Sequence, residues 1–447
     1  YGASCCGSRF ANGTLEIHEE LERRLAKFLR KESALCFTTG FTTNLGTISA
    51  LLGRHDVAVM DRGNHASLVD GVQLTFADTL KYKHNDMADL EKKLENADKD
   101  TGKLLITDGV FSMEGDLTDL PGIVALKKKY GFRIMVDDAH GLGVMGDGGR
   151  GTGEHFGLHD QVDLIMGTFS KSFGSIGGVI AGERDVVDWI KHRARTMIFA
   201  ASMSPANVAA CLAALDIIEA EPERRLRLWQ IADRMREGFQ AMGFNTGVSC
   251  TPIVPILVGE QLKTFNLWKS LLEAGVFTNA VIPPAVEPGR SMLRTSYQAA
   301  HTEAQLDKVL DCFETIGRKL HIIEKKRPST LKPITIALRA PRAEEVSVPV
   351  AAAPVTNGHA PRRPSRLQPL RDRVNAAWSL TGLPPLGSLP SLDSLDLDKL
   401  QRTGQATFER VRDAMEAVTY RAVNLDPAQL AAMPKKLLAR VRPNGRS

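Results

Sequence analysis

The chain has 447 residues, 43% of them apolar and 24% charged, with a net charge of +5. That is too long for one compact core, so two or three domains are expected, and no apolar run approaches the roughly eighteen residues that a bilayer span needs. The charge is uneven: residues 325–447 carry +11 and the rest −6, so the body lacks the basic surplus of a nucleic-acid binder.

The start, Tyr1-Gly2-Ala3-Ser4, has neither the basic-then-apolar pattern of a signal peptide nor an initiating methionine. A cytoplasmic protein whose N-terminal arm is missing is the expectation. The six cysteines (Cys5, Cys6, Cys36, Cys211, Cys250 and Cys312) show no metal-ligand spacing and are too sparse for a disulfide framework. Reduced thiols and no metal site are expected.

Residues 14–31 carry Leu15, His18, Leu21, Leu25, Phe28 and Leu29 at helical spacing. Short apolar runs then alternate with amphipathic stretches. The strand candidates are Ala34–Phe37, Val57–Met60, Leu104–Thr107, Ile134–Val136, Leu164–Met166 and Gly178–Ala181. Such alternation predicts an α/β fold with a mainly parallel central sheet, covered by helices on both faces. From Pro205 the character changes: one long helix is predicted over 206–242, followed by strands at 253–258, 276–280 and 292–296 and a closing helix over 303–320. The expected division is a large domain over 1–205, a helix with a small α+β domain over 206–324, and a basic Pro/Ala-rich tail over 325–447. Within that tail, 339–370 reads as a linker and 395–423 and 427–441 as weakly amphipathic segments; a solvated tail is the main expectation, and contact of their basic faces with an acidic membrane surface or a partner is the alternative.

Ligands of open α/β sheets bind beyond the carboxyl ends of the strands. Two of the apolar runs lead into such positions. Ile134-Met135-Val136 is followed by Asp137-Asp138-Ala139-His140, and Leu164-Ile165-Met166 by Gly167-Thr168-Phe169-Ser170-Lys171. A lysine there can form a Schiff base with a carbonyl cofactor, and an acid can pair with the cofactor's pyridinium nitrogen. That chemistry belongs to pyridoxal 5'-phosphate (PLP). Lys171 is the expected Schiff-base amine, which partial desolvation would activate. Asp137 is the expected partner of the ring nitrogen, and His140 that of the phenolic oxygen. Thr38-Thr39-Gly40-Phe41-Thr42-Thr43-Asn44 precedes a helix-like run over 45–52, and amides at a helix N-terminus bind phosphate. Thr168 offers a hydroxyl to the same phosphate. His65, in Asp61-Arg62-Gly63-Asn64-His65-Ala66-Ser67, is a candidate for stacking on the ring. Gly-x-Gly-x-x-Gly spacing is absent after the first strand, so a dinucleotide is not expected.

Together these motifs resemble the α-oxoamine synthases, fold-type I PLP enzymes that condense an amino acid with an acyl thioester and release carbon dioxide. The resemblance covers about residues 1–323. It rests on Gly7-Ser8-Arg9, Thr39-Gly40-Phe41, Asn64-His65-Ala66-Ser67, Asp108-Gly109-Val110-Phe111-Ser112-Met113-Glu114-Gly115-Asp116, Val136-Asp137-Asp138-Ala139-His140-Gly141 and Thr168-Phe169-Ser170-Lys171. It implies that His65 stacks on the cofactor and contacts the substrate carboxylate. It also implies that Ser112 and His140 position the ring, that Asp137 binds its nitrogen, and that Gly40, Phe41 and Thr168 hold the phosphate. Arg294, in Leu293-Arg294-Thr295-Ser296, matches the family arginine that engages the amino-acid carboxylate, for which a guanidinium fork is suited.

Gly7-Ser8-Arg9-Phe10-Ala11-Asn12-Gly13-Thr14, Thr168-Phe169-Ser170-Lys171-Ser172, Gly317-Arg318-Lys319 and Ile282-Pro283-Pro284-Ala285 most resemble the bacterial serine palmitoyltransferase branch. This branch implies serine and a long-chain acyl thioester as substrates, 3-ketosphinganine as product, and a homodimer with shared active sites. A synthase using glycine or alanine, and a non-catalytic partner subunit, are the alternatives; the presence of Lys171 argues against the second. Phe199-Ala200-Ala201-Ser202-Met203 departs from the family. Its alanines stand where relatives carry a threonine that reaches the neighbouring subunit's phosphate. Either Ser202 takes over that role or no side chain here fills it.

Overall fold

The computed structural model describes residues 1–324 and 334–336. The linker and amphipathic segments expected over 339–370, 395–423 and 427–441 lie outside the described residues. Seven strands form the large sheet: β1 (Ser33–Phe37), β2 (Asp56–Asp61), β3 (Asp78–Tyr82), β4 (Gly102–Asp108), β5 (Arg133–Asp137), β6 (Leu164–Thr168) and β7 (Gly178–Gly182). Their order is β1-β7-β6-β5-β4-β2-β3. β7 runs antiparallel to both its neighbours, and the β6-β5-β4-β2-β3 pairs are all parallel.

The six strand candidates of the large unit all fall within observed strands, as buried Val/Ile/Leu-rich runs do in a sheet covered on both faces. The sequence reading missed β3. It is an edge strand with only Tyr82 buried, so Asp78-Thr79-Leu80-Lys81 shows no apolar alternation.

Alternation along the strands sends successive side chains to opposite faces. Leu105, Ile134, Val136, Ile165 and Val179 pack on one side of the sheet with α1 (Glu16–Phe28). Leu104, Ile106, Met135, Leu164, Met166 and Ile180 pack on the other, against α2 (Gly40–Leu51), α3 (Ala66–Gln73) and the later α7. The crossovers between successive parallel strands are supplied by α3, α4 (Met87–Glu95) and α5 (Leu120–Tyr130), with the short α6 (Thr152–His155) before β6. Beyond β7 come α7 (Arg184–Arg193) and α8 (Arg195–Ile198).

The sequence predicts one helix over 206–242; the structure has two, α9 (Pro205–Ala220) and α10 (Pro222–Met242). Pro222 has no N–H to continue the hydrogen-bond ladder of α9, and it disfavours helical backbone at the preceding residue. Glu221 accordingly sits at φ −122°, ψ 63°. α2 begins at Gly40, five residues ahead of the expected run, because Thr39 and Thr42 form a reciprocal cap at its start.

The second sheet has the order β8-β10-β9, all antiparallel: β8 (Ile253–Gly259), β9 (Asn279–Val281) and β10 (Ser291–Ser296). Val254, Ile256 and Leu293 join Phe239, Phe244 and Phe313 in a core closed by α10, α11 (Gln261–Glu273) and α12 (Glu303–Lys319). Leu293 faces those helices, so its neighbour Arg294 faces the other way.

Candidate active site

The geometry follows from register. Asp108 at the end of β4 pairs with Asp137 at the end of β5, and Met166, two residues before Thr168, pairs with Asp137 from β6. Counting by twos from Ile106, Met135 and Met166 places Asp108, Asp137 and Thr168 on the α2 face, at the carboxyl ends of three adjacent strands.

Asp137 is buried. Its Oδ2 accepts a hydrogen bond from Asn44 Nδ2 at 2.7 Å and its Oδ1 one from the Ala139 amide at 2.9 Å. Asn44 Nδ2 also donates to Ser67 Oγ at 2.9 Å. Ser67 is in turn 2.8 Å from His65 Nδ1, which accepts from the Ser67 amide at 3.2 Å. An Nδ1 that accepts from an N–H carries no proton, so the His65 proton sits on Nε2. The His65 amide donates to Asp108 Oδ2 at 2.7 Å. Burial, and then the Asp137 charge, push the Asp108 carboxyl well above the usual carboxylate range.

Lys171 lies in the loop after β6, held by its carbonyl accepting from the Gly174 amide and by Ser172 Oγ donating to Leu142 O. Desolvation lowers its ammonium pKa; Asp137 and Asp108 oppose the shift and Arg294 adds to it. His140 is pushed down to about 2, first by burial and then by the charges of Lys171 and Arg294. It is therefore a neutral imidazole. Arg294 Nε donates to the Ser112 carbonyl at 2.5 Å, while burial alone lowers the guanidinium's pKa. Among the described residues Arg294 has no carboxylate partner. The structure thus brings Lys171, Asp137, His65, His140 and Arg294 within electrostatic reach of one another, with Arg294 held on the Ser112 carbonyl.

At the start of α2 the Thr39 hydroxyl accepts from the Thr42 amide, which leaves the Gly40 and Phe41 amides as the free donors of the first turn. Thr168 closes on this turn: a Cβ at Gly40 would fall 2.7 Å from Thr168 Oγ1. Among the described residues Ser202 Oγ is buried without a partner, and a Cβ at Gly13 would collide with it. It is not presented outward in the way a stand-in for the family threonine would need to be.

Sequence reasoning assigned no role to Asn44, Ser67 or Asp108. Each sits inside a motif singled out above, but its contribution depends on which strands are adjacent.

The sequence model of the aminotransferase class I and II family matches residues 3–313. The chain belongs to this family, in its α-oxoamine synthase group. It is 53% identical over 311 residues to a serine palmitoyltransferase of Bacteroides thetaiotaomicron, an alignment covering 70% of this chain and 79% of the relative. An 8-amino-7-oxononanoate synthase of Thermoanaerobacter pseudethanolicus is 44% identical over 324 residues, covering 72% and 82%. Among solved structures, a variant of S. paucimobilis serine palmitoyltransferase with bound PLP-myriocin aldimine superimposes with a TM-score of 0.71 at 37% identity, covering 72% of this chain and 82% of that one.

PLP is the cofactor of this α-oxoamine synthase, and the residues present fit it. Three features are those of a phosphorylated pyridinium's site: a helix N-terminus with two free amides whose glycine leaves no room for a side chain, a buried carboxylate, and a lysine of lowered basicity. Asn44 Oδ1, buried without a partner among the described residues, lies in the same crevice.

Proposed function

We propose that this α-oxoamine synthase condenses L-serine with a long-chain acyl thioester of the palmitoyl-CoA type, releasing carbon dioxide and forming 3-ketosphinganine. The observation that carries the reading is the half-buried guanidinium of Arg294, without a carboxylate partner among the described residues and within electrostatic reach of the Lys171 amine. A half-buried arginine without an ion-pair partner, beside a partly desolvated lysine, suits an anionic substrate with a reacting centre next to its carboxylate. The choice of serine is supported by the 53% identity to a serine palmitoyltransferase, against 44% for an oxononanoate synthase.

When bound, PLP supplies a carbonyl that captures the amino acid and a ring that takes up the electron pair left at its α-carbon. Gly40, Phe41 and Thr168 hold the phosphate. Asp137, whose Oδ2 and Oδ1 accept from Asn44 Nδ2 and the Ala139 amide, would hold the charged ring nitrogen. Ser112 and the neutral His140 would orient the ring's oxygen, and His65 would stack on the ring. Arg294 and His65 grip the substrate carboxylate. Nζ of Lys171, with its basicity reduced by burial, removes the proton from the α-carbon. His140, uncharged, can donate to the thioester oxygen without adding a second cation beside Arg294.

Residues 1–205 supply the cofactor's contacts and 206–324 the arginine. A homodimer with shared sites is supported by the exposure of Phe41 beside the phosphate cradle and of Phe199 in the departing segment. The +11 tail suits contact with an acidic membrane surface; among the described residues no helix is long and apolar enough to cross a membrane. Carbon dioxide release from serine, glycine and alanine, assayed in parallel with palmitoyl-CoA on the full chain, tests the function. Serine is expected to be turned over fastest, and equal or faster turnover of glycine or alanine defeats the reading.

A further inference from the structure

A second cluster stands at the end of β2, on the side of the large sheet away from α2. Ala58 and Met60 face α2, so Val57, Val59 and Asp61 face the opposite way. Asp61 is buried, and so is Asp116 in the loop after β4. His84 stands between them, with Nδ1 2.9 Å from Asp61 Oδ1 and Nε2 2.9 Å from Asp116 Oδ2. An ionised carboxylate only accepts hydrogen bonds, so both ring nitrogens carry a proton and the ring is a cation. Among the described residues, His84 is the sole ion-pair partner of either acid. Its ring packs edge-on against Phe111, with centroids 4.4 Å apart.

The two acids belong to different loops of the site. Asp61 Oδ1 also accepts from the Gly63 amide at 2.7 Å, which shapes the short segment running to His65. Asp116 closes the segment that contains Ser112, its carbonyl accepting from the Phe111 amide at 3.0 Å. The Ser112 carbonyl in turn holds Arg294. Asn85 doubles the link: its amide donates to Asp61 Oδ2 at 2.9 Å and its side chain to Asp116 Oδ2 at 3.2 Å. One imidazolium therefore joins the loop that ends at His65 to the loop that fixes Arg294.

We propose that His84 is a positioning residue that sets the spacing between His65 and Arg294, and through it the affinity for the amino-acid carboxylate. It acts through the two loops and not at the reacting atoms. The inference rests on the assignment of His65 and Arg294 to that carboxylate.

The test uses the full-length holoenzyme, with serine titrated against the cofactor's absorbance and steady-state kinetics on serine and palmitoyl-CoA. His84→Ala is expected to raise both the serine dissociation constant and serine KM about tenfold or more, leaving palmitoyl-CoA KM within about twofold. His84 is 35% exposed, so added imidazole can enter the vacated space and is expected to restore serine affinity. N-methylimidazole, with a single N–H, cannot bridge both acids and is expected not to. His84→Gln, which reaches one acid without charge, is expected to fall between and serves if the alanine variant does not fold.

Unchanged serine affinity in a folded variant overturns the inference, as does an equal weakening of serine, palmitoyl-CoA and cofactor. Wild-type protein that gives no response to serine defeats the substrate assignment and this inference with it; a normal wild-type response that the variants leave intact defeats this inference alone.

Discussion

Asn44 Nδ2 donates to Asp137 Oδ2 at 2.7 Å, so the first turns of α2 and the end of β5 are joined by one buried hydrogen bond. The same amide nitrogen reaches Ser67, and through it His65. The start of α2, the acid at the end of β5 and the His65 imidazole are thus parts of one network.

Asn44→Ala removes the buried donor that Asp137 Oδ2 accepts from, and leaving a buried polar group unsatisfied costs about 1–3 kcal/mol. Cofactor affinity is expected to fall roughly ten- to a hundredfold, read by titrating PLP into the stripped protein and following fluorescence. Affinity equal to wild type would show that Asp137 is held without Asn44.

Lys171→Ala is expected to abolish the absorbance band near the visible edge that the loaded enzyme shows. Borohydride treatment of the unaltered protein is expected to label Lys171. A label on any other side chain, or a band that persists in the variant, sinks the assignment of the cofactor lysine.

Arg9 and Glu22 form a buried pair that secures the chain before α1. Nη1–Oε1 is 2.6 Å and Nη2–Oε2 2.9 Å, with side chains 5% and 13% exposed. Glu22 Oε1 also accepts from the Cys36 amide in β1 at 2.8 Å. Removing one partner leaves an uncompensated buried charge, so Arg9→Met is expected to cost about 3–5 kcal/mol and Arg9→Met with Glu22→Leu much less. Urea unfolding of the wild type, Arg9→Met, Glu22→Leu and the double variant gives the coupling. A single-variant loss below about 1 kcal/mol would place the pair among ordinary surface bridges.

His140 titrates near 6.5 when unfolded and at about 2 when folded. Between those values the unfolded chain binds the proton and the folded one does not, so stability falls as pH drops from 6.5 towards 2. The cofactor-free protein is expected to lose more stability between pH 7.5 and pH 5 than His140→Asn does, as read from urea midpoints. Equal losses in the two proteins would mean that the folded site accepts a charged His140.

Several of these relationships are visible in the chain itself. Ile134–Val136 and Leu164–Met166 announce strands by composition, and Asp137 and Lys171 follow them closely, so their place at the strand ends is local information. The break at Pro222 is equally legible, since proline lacks the amide that a continuous helix requires; a reading of apolar spacing alone runs across it. β3 is not legible, because an edge strand with most of its side chains in water has no alternation to detect. Nor are Asn44, Ser67 and Asp108, which are joined to Asp137, Asn44 and His65 by contacts spanning 23 to 93 positions of the chain.

The amino-acid sequence by itself determined which chemistry-bearing residues follow which strands, and on which face each of them lies, because alternation of side chains along a strand is a property of the local backbone. The tertiary structure alone decided that β4, β5 and β6 stand side by side, so that Asp108, Asp137 and Thr168 meet α2 in one crevice. It also decided the protonation of His140 and the lowered basicity of Lys171, since desolvation and neighbouring charge act through space and not along the chain.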